Sequence, residues 1–255
     1  DNLVLCIRGQ DLAPVPFRDA MARFGTPLKR LQLEHTPECD EVNIVSSEDR
    51  DVLGDGKKLV NGASWHTDDS FMRQPCTLTM LYGVTVPSRG GDTQFVNMYA
   101  AWEALPEATK RRIDGLQVIH RYQSSRQTNR VSKRPDAEMK AMPEATHPLV
   151  KVHPETGRKA LYLNANRMEQ IVGLERAESD RLLDELMSHM TQPRFVYVHE
   201  WSEGDMLIWD NRCTVHAATW YEPTESRMMW RTTVHGNPGA HYAGEAKSWI
   251  PAAAE

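Results

Sequence analysis

No apolar run in this chain approaches the ~20 residues that a membrane-spanning helix needs, and no leader-like segment is visible at its start. Neither sign of charge dominates. The 30 lysines and arginines stand against 35 aspartates and glutamates, a formal net charge of −5 with acids and bases well mixed. That is no footprint of nucleic-acid binding. Cysteine is scarce. Cys6, Cys39, Cys76 and Cys213 form no C-x-x-C pair, which argues against a zinc or redox motif of that kind. They read as reduced, structural thiols of a cytoplasmic protein. There is no internal repeat and no linker-like stretch, so residues 1–255 read as one domain. A unit of this size buries enough surface to hold together without disulfides.

What the chain does have is a succession of short strands. Residues 3–7 read as a buried strand and 14–24 as a helix, with Phe17, Met21 and Phe24 on one face and Gly25 as its stop. Further strands are expected at 42–45, 77–86, 93–96, 116–120, 147–152, 160–163, 195–199, 206–209, 214–217 and 228–235. Helices are expected at 98–105, 106–113 and 175–190. In the last, Leu182, Leu183, Leu186 and Met190 form a stripe. Residues 47–64 read as a polar loop. Residues 121–146, rich in arginine and lysine, read as a long loop and a candidate lid. Many strands with few helices argue for a mainly β sandwich or barrel with peripheral helices. A jelly roll offers a mouth for a metal between its sheets.

His66-Thr67-Asp68 leads the chemistry, together with His216, 150 positions later. Two imidazoles and one carboxylate hold non-haem Fe(II) on one face and leave the other open. In an extended segment, residues two apart share a face, so His66 and Asp68 can reach one ion. A lone histidine is more often a surface or core residue than a ligand. His35, His120, His147, His153, His189, His199, His235 and His241 are read that way. Zinc competes for the same set, since some zinc hydrolases use two histidines and a carboxylate. Arg227 and Arg231 lie eleven and fifteen residues after His216. On a strand they would share a face, and two buried cations make sense where anions meet them.

These segments resemble the taurine dioxygenase family of Fe(II)/2-oxoglutarate-dependent oxygenases, which includes the phenoxyalkanoate-herbicide dioxygenases. The resemblance rests on Arg8-Gly9-Gln10, the Phe24-Gly25 helix end, Trp65-His66-Thr67-Asp68 and Val86-Pro87 with Gly90-Gly91-Asp92-Thr93. Trp209-Asp210-Asn211, His216, and Arg227 with Arg231-Thr232-Thr233 complete it, so that it runs over nearly the whole chain. It implies a double-stranded β-helix, the jelly-roll variant of this superfamily, and a native start upstream of Asp1. It assigns His66, Asp68 and His216 to iron. Thr93 and Arg227 go to the distal carboxylate of the co-substrate 2-oxoglutarate, and Arg231 to an anionic group of the primary substrate. A guanidinium matches a carboxylate or sulfonate in bidentate fashion. The implied reaction takes O2 and a small organic anion and hydroxylates the anion, with succinate and CO2 as co-products. Asp68 itself points to hydroxylation, because related halogenases carry a small residue in its place. Family habit implies a homo-oligomer, a dimer or tetramer.

Gly62 departs from the pattern. Taurine dioxygenase has an asparagine there that helps hold the substrate amine. The expected substrate is therefore a carboxylate, aryloxyalkanoate-like, ahead of a taurine-like sulfonate. A non-catalytic jelly roll sensing a small acid or metal is the rival from another class. Tyr162, Asn164 and Met168 are candidate pocket residues, with packing favoured for Tyr162. Trp201, Trp220 and Trp230 are expected in the core or at the rim.

Overall fold

A computed structural model describes residues 3–30, 34–46, 60, 62–127, 144–222 and 224–235. Along the chain run β1 (Val4–Ile7), α1 (Pro14–Met21), β2 (His35–Thr36), β3 (Cys39–Ser46), β4 (Leu78–Thr85) and β5 (Thr93–Asn97). Then come α2 (Met98–Glu103), α3 (Glu107–Ile113), β6 (Gln117–Arg121), β7 (Glu144–Pro148), β8 (Val150–Val152), β9 (Lys159–Leu161) and β10 (Met168–Ile171). The last elements are α4 (Arg176–Met190), β11 (Val196–His199), β12 (Met206–Asp210), β13 (Thr214–Ala218) and β14 (Met228–Val234).

A six-stranded sheet, ordered β1-β12-β4-β14-β3-β2, faces a three-stranded sheet, β11-β5-β13. Consecutive strands change sheets: β4 to β5, then β11 to β12, β13 and β14. This alternation is the mainly β jelly roll expected from the sequence, with its helices outside and without closure into a barrel. The period of two sorts the side chains. Leu81, Leu207, Trp209 and Met229 point between the sheets and meet Phe95 of the smaller one. Their neighbours Met80, Tyr82, Met206 and Ile208 face the opposite way and bury Phe17 and Met21 of α1. On the far side of the smaller sheet, Val96 and Val215 pack with Leu182, Leu183 and Leu186 of α4.

Several boundaries differ from expectation. β1 is an edge strand with Leu5 half exposed, because among the described residues it pairs with β12 alone. The first helix ends at Met21, and Phe24 lies 41% exposed beyond it. Residues 144–146, expected in the long loop, belong to β7, where Ala145 and His147 alternate inward between exposed residues. Residues 147–152 are two strands of different sheets rather than one. The proposed lid lies mostly outside the described residues, as do residues 47–59 of the first loop. Among the described residues no helix is long and apolar enough to cross a membrane. The four cysteines are free thiols.

After Asp68 the chain turns sharply at Asp69, whose φ of 57° is left-handed, a conformation aspartate tolerates better than most residues. Arg30 clamps that turn with paired hydrogen bonds to both Asp69 oxygens while also donating to Thr233 Oγ1. Both side chains are largely buried. Removing one partner leaves the other charge uncompensated. Arg30→Met is therefore expected to cost about 3 kcal/mol in denaturant unfolding, the lower range for a broken buried pair. A loss within experimental error would mean that solvent or another group takes over the Asp69 charge.

Candidate functional site

His66 and His216 sit opposite each other as an isolated antiparallel bridge. His66 N–H donates to His216 O at 2.9 Å, and His216 N–H donates to His66 O at 2.8 Å. A pair that exchanges both backbone bonds presents its two side chains on the same face. The rings accordingly lie 4.1 Å apart between centroids. His216 is also opposite Phe95 in β5, so that face is the inner one, against Trp209. His66 Nδ1 is 2.7 Å from Ser64 O. A carbonyl only accepts, so Nδ1 carries the proton and Nε2 keeps its lone pair. Nε2 stands 3.8 Å from Asp68 Oδ1. Burial first, then Arg167 and Arg231, push the His66 pKa down against the pull of Asp68. Burial, the His66 ring and Arg231 push that of His216 down to about 3. Both imidazoles are thus neutral, the form that ligates a metal.

Asp68 is held from both ends by one asparagine. Its N–H donates to Asn211 Oδ1 at 3.3 Å. The Asn211 amide donates to Thr79 Oγ1 at 2.8 Å, and that hydroxyl donates to Asp68 Oδ2 at 2.6 Å. Trp209 Nε1 completes the Asn211 carbonyl at 3.1 Å, and Thr67 Oγ1 donates to the Asn211 backbone oxygen at 2.7 Å. This leaves Asp68 Oδ1 directed at the histidines. Burial alone would raise the Asp68 pKa, but the Arg231 charge and the Thr79 hydroxyl oppose it, and the carboxyl is held well below the usual range. One ligand atom from each of His66, Asp68 and His216 falls within 4.8 Å of the others. His216 Nδ1, buried, makes no hydrogen bond. Two neutral nitrogens and one carboxylate oxygen fit a divalent ion with open positions.

The arginines occupy separate places. Arg231 is on β14, on the inward face with Met229, and its Nη1 is 3.7 Å from Asp68 Oδ1. Its Nε is buried without a hydrogen-bond partner. Arg227 precedes the strand and is 5% exposed. Its Nε donates to Gly91 O at 3.1 Å. The glycine pair explains how the chain passes so close. A Cβ at Gly90 would collide with Trp220 O, and one at Gly91 would stand 3.2 Å from Arg227 Cδ; both residues have left-handed φ. Two residues on, Thr93 lies buried in β5 between β11 and β13, and its hydroxyl accepts from Trp201 Nε1 at 3.0 Å.

Sequence reasoning missed the supporting residues. Thr79, Trp201 and Ser70 lie on no motif, and Asn211 entered only as part of one. Asn164 is buried and donates to Thr67 O and Ser70 Oγ, both at 2.9 Å, which places it behind the segment that carries His66 and Asp68. Tyr162 is buried among His120 and His147, in keeping with packing. Trp230 stacks on Tyr82 in the core, and Trp220 is 63% exposed at the rim. A Cβ on Gly62 would stand 3.4 Å from His66 Cε1, so this position does border the site. Cys6-His199-Asp205 and His153-Asp210-Cys213 also cluster. Their aspartates are already paired, Asp205 with Arg8 and His199 and Asp210 with Arg212 and His153.

The model of the "Taurine catabolism dioxygenase TauD, TfdA family" matches residues 2–233. The (S)-phenoxypropionate/alpha-ketoglutarate-dioxygenase of Sphingobium herbicidovorans is 38% identical over 78% of this chain and 70% of its own length. The alpha-ketoglutarate-dependent 2,4-dichlorophenoxyacetate dioxygenase of Cupriavidus pinatubonensis is 35% identical over 91% of this chain and 84% of its own. The crystal structure of AAD-2 with Mn(II) and N-oxalylglycine superposes with a TM-score of 0.78 at 30% identity, covering 96% of this chain and 84% of that one.

The Asn211–Thr79–Asp68 chain generates a prediction of its own. Thr79→Val removes one hydroxyl that donates to Asp68 and should weaken Mn(II) binding about 10-fold or more, as loss of a ligand's supporting hydrogen bond does elsewhere. Calorimetric titration of the metal-free protein reads it. An unchanged affinity would take Thr79 out of the support.

Proposed function

Since this chain belongs to the TauD, TfdA family of Fe(II)- and 2-oxoglutarate-dependent dioxygenases, we propose that it hydroxylates a small aryloxyalkanoate-like carboxylate and converts 2-oxoglutarate to succinate and CO2. One observation carries the reading. Three neutral or anionic donors converge on one position, with the Arg231 guanidinium 3.7 Å from the Asp68 carboxylate and a buried Arg227 held by the Gly91 backbone just before Thr93.

His66, Asp68 and His216 would hold Fe(II), which, with 2-oxoglutarate bound, supplies the oxidising chemistry. Thr93 and Arg227 would take the distal carboxylate of 2-oxoglutarate. The backbone oxygen of Gly91 fixes the Arg227 guanidinium through its Nε, so its terminal nitrogens are aimed rather than free to swing. Arg231 would hold the carboxylate of the primary substrate. Its Nη1 stands 3.7 Å from Asp68 Oδ1, beside the metal position. Its buried, unbonded Nε is a donor for which a substrate oxygen is the natural partner. Gly62 leaves space beside His66 that a larger side chain would fill. The relatives named above for phenoxypropionate and 2,4-dichlorophenoxyacetate support the carboxylate class. Hydroxylation at a carbon bearing an ether oxygen lets the product fragment.

Residues 1–255 act as one catalytic domain, supported by a site to which the 66–68 segment, β13 of one sheet and Arg231 on β14 of the other all contribute. The cytoplasm is the compartment, supported by four free thiols. The assembly is a homo-oligomer, which light scattering reads.

A panel of aryloxyalkanoates and aminosulfonates, assayed with Fe(II), 2-oxoglutarate and O2, should give succinate and a released phenol with the former. Sulfite from aminosulfonates, with no turnover of the carboxylates, would make it a sulfonate dioxygenase. No succinate with any compound would favour a sensor. Asp68→Ala should abolish turnover. Arg227→Ala should raise the KM for 2-oxoglutarate, and Arg231→Ala that for the primary substrate, each by about 10- to 100-fold for a charged hydrogen bond. Equal effects of both on 2-oxoglutarate would contradict this division.

A further inference from the structure

The turn before Arg167 is tied to the segment that carries His66. The Ala165 N–H donates to Trp65 O at 2.9 Å, the Asn164 amide donates to Thr67 O at 2.9 Å, and the Asn166 amide donates to Ser64 Oγ. Arg167 follows directly and is anchored through its own backbone, which donates to Asn164 O and accepts from Arg121 N–H. Its guanidinium lies over the ring of Tyr122 at 4.3 Å and near that of Phe71 at 5.5 Å. Those rings meet edge to face at 5.1 Å, a rigid aromatic corner. Burial lowers the pKa of Arg167, against a side-chain hydrogen bond to Tyr122 and the Asp69 and Asp68 carboxylates.

The charges around this corner do not balance on their own. Asp69 is taken by Arg30. Asp68 faces the metal position. With Fe(II) on the triad and the two carboxylates of 2-oxoglutarate on the metal and on Arg227, those groups sum to zero. Arg231 and Arg167 then remain as two fixed cations. Among the described residues Arg167 forms no ion pair with a carboxylate; its neighbours are the two rings. Part of its donor capacity goes to the Tyr122 side chain, and the remaining in-plane N–H groups of a stacked guanidinium match a planar carboxylate.

We propose that Arg167 is a second anion-binding group of the substrate pocket, so that preferred substrates carry two acidic groups: a carboxylate on Arg231 and a second carboxylate, remote from it, on Arg167. This rests on the reading of Arg231 as the substrate anchor beside the metal triad. No motif points to Arg167, and the position becomes visible only when its turn folds against residues 64–67.

Phenoxyacetate and 4-carboxyphenoxyacetate are the probes, one with a single carboxylate and one with two. Calorimetry measures their binding to protein loaded with Mn(II) and 2-oxoglutarate, and kcat and KM are measured on the Fe(II) enzyme. The intact protein should favour the dicarboxylate by about 10-fold in affinity and in KM, the scale of one charge-assisted hydrogen bond. In Arg167→Met, which keeps an unbranched side chain against the rings, that preference should disappear, and the monocarboxylate should weaken by less than the dicarboxylate. Absence of the preference in the intact protein overturns the proposal. So does its survival in Arg167→Met. An equal loss for both probes would make Arg167 a wall of the pocket and nothing more. If both probes bind but neither is turned over, the aryloxyalkanoate reading fails while the binding contrast still decides the role of Arg167.

Discussion

The backbone pairing of His66 with His216 is the constraint on which the site depends. One pair of exchanged hydrogen bonds joins a loop to the middle of β13 and decides which way both imidazoles face. A one-residue slip would turn His216 away from the space between the sheets and put Val215 or Ala217 in its place. The register of β13 on β5 guards against this, because Val215 and Ala217 belong to the other face and Val215 is packed in the core with α4. The orientation of the candidate ligand His216, and of His66 paired with it, is therefore secured by hydrophobic burial on the opposite side of β13.

The second requirement is a fixed carboxylate, and here the polar interior does the positioning. Asn211 uses its carbonyl and its amide on the two ends of Asp68, directly and through Thr79. Each group in that chain is buried and bonded, the condition under which a polar network is stable in a protein interior. Arg30 and Asp69 then close the turn behind it. From the inward face of β14, Arg231 adds a positive charge that favours the ionised form of Asp68.

Much of this was legible in the residues. His66, Asp68 and His216 could be named because i and i+2 share a face in extended chain, and because the arginine spacings match a known pattern. Apart from the two-residue β2, the strands of the two facing sheets were visible in their β-branched and apolar content. Other parts were hidden for definite reasons. β10 carries Glu169 and Gln170, so it has no apolar alternation, and only pairing with β6 makes it a strand. β7 does alternate, through Ala145 and His147, but its first residues, 144–146, read as the end of an arginine-rich loop. Thr79, Ser70 and Trp201 have ordinary surroundings in the chain and gain meaning from partners far away in sequence. Arg167 is the same case. Phe24 misled because it continues the stripe of α1 beyond the point where the backbone leaves the helix.

The central claim is that the two paired histidines and Asp68 form one divalent-metal site. Anaerobic Mn(II) titration of the metal-free protein, beside His66→Ala and His216→Ala, tests it most directly, with circular dichroism to confirm that each variant is folded. The account predicts one tight ion per chain in the intact protein and no resolvable tight binding in either folded variant. Equal affinity and stoichiometry in all three would place the metal elsewhere and contradict the account.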